Sequence, residues 1–207
     1  VPVFLMAEEA IAHLQERIDI APSLEIINRL KLSGAPPFGH QLPDGVPPMP
    51  AFGEGEKLLV TGSTHDANGF RKTDDPAIQA QLVQRINNKI ISHRDEIIQT
   101  ESTMLEDADI VIIAYGFSAR SALFALEKLR QEGKKVGLLR LKTIWPFADQ
   151  IVEQIGKSAK KILVPEMNLG QIAGEIRKYT ACDVISYQQS NGKVIHPQRI
   201  IEEIRSL

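Results

Sequence analysis

The sequence predicts an α/β fold: a three-layer α/β/α domain around a mostly parallel sheet, preceded by a remnant of a second α/β domain. Two observations carry this. Four unbroken apolar runs, Ile110–Tyr115, Val136–Leu141, Ile162–Pro165 and Val184–Tyr187, are each followed by apolar residues at helical spacing. Strands buried on both faces read as continuous apolar runs, and returning helices produce the alternation. At 207 residues, 43% of them hydrophobic, the chain is also long enough to build a core without disulfides or metal.

In chain order, Val1–Met6 is a strand-like apolar run. It has no initiator Met and no polar lead-in, so it reads as the start of a fragment of a longer polypeptide. Glu8, Glu9, Ala10, Ile11, Leu14 and Ile18 follow at helical spacing, with acids in the first turn. Leu24–Ile27 is a short extended candidate. Residues 22–50 then hold seven of the twelve prolines, with Gly34, Gly39 and Gly45 among them. Such a stretch propagates neither helix nor central strand, and it reads as a linker with a boundary near residue 56.

Lys57–Thr61 is the next expected strand, closed by Gly62. Asp75 before Pro76 marks an N-cap followed by proline at the first helical position. Ile78, Leu82, Ile86 and Ile90, widened by Val83 and Ile91, predict an amphipathic helix running to about Ile98. The four apolar runs then alternate with helices. Their inward positions are Ala119, Leu123, Leu126 and Leu129, then Ile151, Val152 and Ile155, then Ile172, Ile176 and Tyr179. A last helix carries Ile200, Ile201 and Ile204 and is entered through His196-Pro197. Crossovers between parallel strands are expected to be right-handed.

Charge and cysteine content exclude several function classes. Twenty-four Lys and Arg against 26 Asp and Glu leave a net charge of −2, without the basic footprint of a nucleic-acid binder. The single cysteine, Cys182, supplies neither a disulfide nor the thiolates of an iron–sulfur or zinc site. His13, His40, His65, His93 and His196 show no metal-ligand spacing. No apolar run has the length of a membrane span, and no signal peptide is evident, so a cytoplasmic protein without membrane contact is expected.

In doubly wound sheets ligands meet the carboxyl ends of strands, and three corners of that kind stand out. At Tyr115-Gly116-Phe117-Ser118-Ala119-Arg120-Ser121 a strand turns through glycine into a helix start bearing hydroxyls and an arginine. Its first N–H groups suit a phosphate or carboxylate. The alternative is that Ser118 caps the helix and Arg120 meets solvent or a carboxylate. At Leu141–Phe147 the aromatics Trp145 and Phe147 flank Pro146, as a contact surface or as a plug for the core. At Pro165–Gln171 the polar residues Glu166, Asn168 and Gln171 either meet a ligand or shape the turn. The candidate ligand or interface rim is therefore Ser118, Arg120, Ser121, Glu166, Asn168 and Gln171. Gly170 and Gly174 suggest close helix packing, and Cys182 a buried structural thiol. His65-Asp66 is a pair that either tunes an imidazole or holds a loop. No catalytic, cofactor-binding or metal residue is assigned.

Three stretches carry a resemblance. Val60-Thr61-Gly62-Ser63-Thr64-His65-Asp66 followed by Gly69, Tyr115-Gly116 through Arg120 with Lys135–Leu141 beyond it, and Glu166-Met167-Asn168-Leu169-Gly170-Gln171 resemble segments of one family. It is the alpha subunit of 2-oxoacid:ferredoxin oxidoreductases, the 2-oxoglutarate type above all, in its C-terminal half with a transketolase C-terminal-like domain. The resemblance implies that residues 1–31 end a pyrimidine-binding thiamine-enzyme domain, that 32–56 form a linker, and that 57–207 form the transketolase-like domain. It implies a complex that uses thiamine diphosphate, magnesium, an iron–sulfur cluster and coenzyme A, none of them bound by this fragment. The implied partners are a beta subunit and, through the complex, ferredoxin. The fragment alone would be inactive, with a structural and subunit-interface role in an oligomer. The rival readings are the same domain in transketolase or a pyruvate dehydrogenase beta chain, and a small-anion binding module at Ser118–Ser121.

Overall fold

The computed structural model describes residues 3–20, 22–28, 34, 36–38, 46–54 and 57–207. It divides into two compact units, Val1–Arg17 with Glu96–Leu207, and Ile18–Asp95.

The first unit contains a single turn of helix, α1 (Glu9–Ala12), and a five-stranded sheet. The strands are β1 (Thr100–Thr103), β2 (Ile110–Tyr115), β3 (Val136–Leu141), β4 (Lys161–Glu166) and β5 (Asp183–Gln188), in the order β1-β3-β2-β4-β5. The last four are parallel and fall on the four expected apolar runs. Interior residues of β2 are all buried, as a strand covered on both faces requires.

Residue alternation sends β2 side chains to two cores. Ile112 and Ala114 pack under α4 (Gly116–Gln131) and α7 (Pro197–Ser206). Val111 and Ile113 pack under α5 (Asp149–Ser158) and α6 (Gln171–Ile176). Ala119, Ala122 and Ala125 on α4 bring that helix close to the sheet, and Leu126 and Leu129 fill the space beyond them. This is the expected three-layer architecture. Arg130 pins its amino-terminal end. The guanidinium donates to the carbonyls of Val136 (2.6 Å) and Met104 (2.7 Å) and to both oxygens of Asp107 (3.0 and 2.7 Å).

One strand was absent from the sequence expectation. β1 runs antiparallel to β3, pairing Thr100 with Leu141 and Thr103 with Leu138. Its sequence, Thr-Glu-Ser-Thr, has no apolar signal because it is an edge strand. Glu101 faces Arg140 across the pair and also meets Lys142, so charge marks the open edge.

The second unit carries α2 (Pro76–Ile91). The Asp75 carboxylate accepts from Ala77 N (2.9 Å) and Ile78 N (3.2 Å), as the Asp-Pro signal predicts. The helix ends at Ile91, not near Ile98. The Ser92 hydroxyl bonds back to the Asn88 carbonyl, and a separate turn, α3 (Arg94–Ile97), follows. Val83, Ile86 and Ile91 are exposed on α2, and Trp145 is exposed in the sheet unit.

Three expected strands do not form. Among the described residues Val3–Met6, Leu24–Ile27 and Lys57–Thr61 have no strand pairing, and Leu5 and Ile27 are 94% and 88% exposed. An apolar run becomes a strand only where a neighbouring backbone satisfies its N–H and C=O groups. After Lys57–Thr61 the chain instead closes a tight turn, with one bridge from His65 to Arg71. Val1, Pro2 and the expected boundary at Glu56 lie outside the described residues, as do His40, Gly39, Pro43 and Gly45.

Candidate functional site

The strand order creates one crevice at the carboxyl end of the sheet. The chain leaves β2 toward β3 on one side and leaves β4 toward β5 on the other, so α4 and α6 diverge onto opposite faces. This topological switch point between β2 and β4 is where doubly wound sheets hold ligands. Two of the three sequence-predicted corners, Tyr115–Ser121 and Glu166–Gln171, meet there. The third does not. Phe147 is buried and stacks on Tyr179 with ring centroids 5.6 Å apart, while Trp145 is exposed.

On the β2 side, α4 begins directly at Gly116, whose φ is +53°. Tyr115 is the N-cap and supplies no side-chain cap. Ser118 and Ser121 are buried within the helix, so Ser118 is not its cap. The first turn is served from elsewhere in the chain: Phe117 N donates to Glu8 Oε1 at 2.7 Å. A helix start presents unpaired N–H groups and a positive dipole end, and a carboxylate answers both. Glu8 Oε2 is buried with no hydrogen-bond partner among the described residues. Arg120 is exposed and forks onto Glu16, with Nη1 3.2 Å from Oε2 and Nη2 on Oε1. That pair holds the Glu16 carboxyl below the usual glutamate range, first through the hydrogen bond and then through charge.

On the β4 side, Glu166 is fully buried, and its oxygens accept from Ile172 N (2.7 Å) and Ala173 N (2.9 Å). Both of its oxygens are committed to the start of α6. Asn168 Oδ1 accepts from Gly170 N (2.8 Å) and Gln171 N (3.0 Å), which shapes the turn. Its Nδ2 reaches across to the Tyr115 hydroxyl at 2.7 Å. The Gln171 side chain is exposed. Gly170 takes φ +90° as the N-cap of α6, where an added Cβ would stand 2.6 Å from Gln188 Nε2. Gly174 has open space around it and makes no close helix contact.

The crevice thus holds a proton-bearing phenol, a buried carboxylate and an amide. Burial raises the Tyr115 phenol above the ordinary tyrosine value, helped by the charge of Glu166 and then of Glu8, and opposed by the Asn168 bond. At neutral pH the group is a hydrogen-bond donor. Sequence reasoning found Glu166 and Asn168 but missed Glu8, Glu16 and the Tyr115 hydroxyl. Glu8 is 109 residues from Phe117, and no local pattern links them.

Elsewhere, His65 Nδ1 contacts the Asp66 carbonyl at 2.9 Å, while the Asp66 carboxylate accepts from Asn68 N and Phe70 N. The pair holds a loop and does not form a His–carboxylate dyad. Cys182 is half-buried, donates to the Ala159 carbonyl at 3.4 Å, and has its thiol pushed up by burial. Among the described residues no group of three or more His, Cys, Asp or Glu is placed to hold a metal. No helix among them is long and apolar enough to cross a membrane.

A model of pyruvate:ferredoxin oxidoreductase core domain II matches residues 108–200, which run from the start of β2 into α7. Over 97% of its length the chain is 39% identical to 2-oxoglutarate synthase subunit KorA of Methanocaldococcus jannaschii. Along nearly its whole length the chain is similar to 2-oxoacid:ferredoxin oxidoreductase alpha subunits. It covers 54% of that relative, and spans about half the length of the curated family members it matches along its whole length. A second branch of the family, ketoisovalerate oxidoreductase subunit VorB of Methanothermobacter marburgensis, is 32% identical over 59% of this chain and 35% of its own. Among solved structures, the 2-oxoglutarate:ferredoxin oxidoreductase from Magnetococcus marinus, with 2-oxoglutarate, coenzyme A and succinyl-CoA bound, superposes with a TM-score of 0.79. That match is 29% identical and covers 88% of this chain and 32% of that one.

Proposed function

We propose that the chain forms part of the alpha subunit of a 2-oxoglutarate:ferredoxin oxidoreductase. The reaction converts 2-oxoglutarate and coenzyme A to succinyl-CoA and carbon dioxide, and two electrons pass to two ferredoxins. The observation that carries this is the 39% identity to a 2-oxoglutarate synthase subunit along nearly the whole chain. The Magnetococcus structure, with its bound 2-oxoglutarate and coenzyme A, supports the same substrate.

Within that reaction the chain's part is scaffold and interface. Its donor set does not suit an iron–sulfur cluster, because one cysteine cannot provide several thiolates. The cluster, thiamine diphosphate and magnesium belong to other parts of the complex, with a beta subunit as the direct partner. Residues 57–207 act as the transketolase C-terminal-like domain, and Ser118, Arg120, Ser121, Glu166, Asn168 and Gln171 shape its carboxyl-end rim. The carboxylates of Glu166 and Glu8 accept from the first N–H groups of α6 and α4, which leaves the rim a positioning surface.

Steady-state assay of the assembled complex tests this. Viologen reduction dependent on coenzyme A should have its highest kcat/KM with 2-oxoglutarate. A higher value with pyruvate or 2-oxoisovalerate overturns the substrate assignment. Decarboxylation of 2-oxoglutarate by this chain unaided overturns the scaffold role.

A further inference from the structure

We propose that residues 3–17 are a built-in cover over the carboxyl end of β2, fastened to the first turn of α4 by Glu8 and Glu16. The start of α4 is then a docking face for the chain's own acidic segment, and not a seat for a free anion.

Three observations carry this together. Glu8 Oε1 accepts from Phe117 N at 2.7 Å, so the N–H exposed at the helix start already has an anionic partner. Three residues further along α4, Arg120 forks onto Glu16. Two anchors, eight residues apart on the segment and one turn apart on the helix, fix both the position and the direction of the segment. A single contact would leave it free to pivot. Third, Gly116 leaves room for the contact: a Cβ built there would collide with Glu8 Oε1. A side chain at this position would close the seat to any carboxylate.

The fastening is moderate in strength. Glu8 Oε2 is buried and unpartnered among the described residues, so that carboxylate is held through one oxygen. The Arg120–Glu16 pair is 44% and 49% exposed, the class of ion pair that solvent weakens. The cover is therefore held firmly enough to be found closed and loosely enough to be displaced.

Amide hydrogen exchange on the purified chain, read by NMR, tests this. Glu8→Ala should raise the exchange rate of the Phe117 amide by about tenfold, with Glu8→Gln in between because it keeps an acceptor oxygen. Arg120→Glu should speed exchange at residues 9–14 by about two- to fivefold, and the swapped pair Glu16→Arg with Arg120→Glu should restore it. Core amides at Ile112 and Leu126 should keep wild-type rates in every variant, which separates loss of the cover from loss of the fold. Unchanged Phe117 exchange in Glu8→Ala overturns the proposal. So does a swapped pair that exchanges no more slowly than Arg120→Glu, or saturable shifts at Phe117 when inorganic phosphate is added to the wild-type chain.

Discussion

Asn168 donates its side-chain N–H to the Tyr115 hydroxyl at 2.7 Å, joining the carboxyl ends of two adjacent parallel strands. The amide has no choice of orientation. Gly170 N and Gln171 N both require an acceptor, which fixes Oδ1 toward the turn and Nδ2 toward the phenol.

Replacing Asn168 by Ala removes three hydrogen bonds, two of them to turn N–H groups. Urea unfolding should show a loss of about 1–2 kcal/mol. The same change removes the one interaction that lowers the Tyr115 pKa, so its phenol should ionise at still higher pH in an absorbance titration. A Tyr115 titration unmoved by Asn168→Ala would contradict the bond across the crevice.

Glu166→Gln tests the buried carboxylate. A carboxylate accepts both Ile172 N and Ala173 N, whereas an amide offers one oxygen and turns an NH2 toward a donor. The start of α6 should loosen and stability should fall by about 2–3 kcal/mol, because the unpaired N–H is buried. A loss under about 0.5 kcal/mol, the level of an ordinary surface change, would refute the capping role.

Arg130→Lys should destabilise although charge is kept. The planar fork reaches two carbonyls and both Asp107 oxygens, and an ammonium cannot span them. A loss of about 1–2 kcal/mol is expected in thermal or urea melts. Because Asp107 itself is half exposed, Asp107→Asn should cost less than Arg130→Lys.

The acid limb of stability has assignable sources. Hydrogen bonding and then charge from Arg120 hold Glu16 below the ordinary glutamate value of 4.5; a hydrogen bond from Arg205 and one from Lys142 do the same for Glu132 and Glu101. A lowered native pKa contributes stability that is complete above pH 4.5 and is lost as pH falls through the lowered values. The Tm should therefore drop on acidification below about pH 4.5, and less steeply in Arg120→Gln combined with Arg205→Gln. High salt should flatten the wild-type curve, since these pairs are solvent-exposed. An acid limb identical in the double variant would place its origin elsewhere.

The sheet was legible because its signal is local. β2, β3 and β4 are apolar runs whose burial on two faces dictates their composition; β5, at one edge, keeps its run through Val184, Ile185 and Tyr187, which pack on the two cores. The bounds of all four fall within a residue of the sequence reading. The Asp75 cap and the Pro197 helix entry were equally readable, since donor and acceptor lie within three residues. The edge strand β1 was not readable, because an edge needs charge and polarity that resemble a loop. The expected strands at Leu24–Ile27 and Lys57–Thr61 failed for the converse reason. Their composition suits a strand, but pairing is a property of the neighbour.

The same distinction divides the site. By itself the sequence determined the fold class, the family resemblance and the polar content of the two corners after β2 and β4, all of which depend on residues close in the chain. Only the tertiary structure decided that these corners meet at one crevice, that Glu166 faces inward, and that Glu8 and Glu16 close over the start of α4. The contacts across the crevice and over α4 join residues separated by 53 to 109 positions, and over such distances a hydrogen bond is selected by the packing of the whole domain and leaves no periodic trace in the chain.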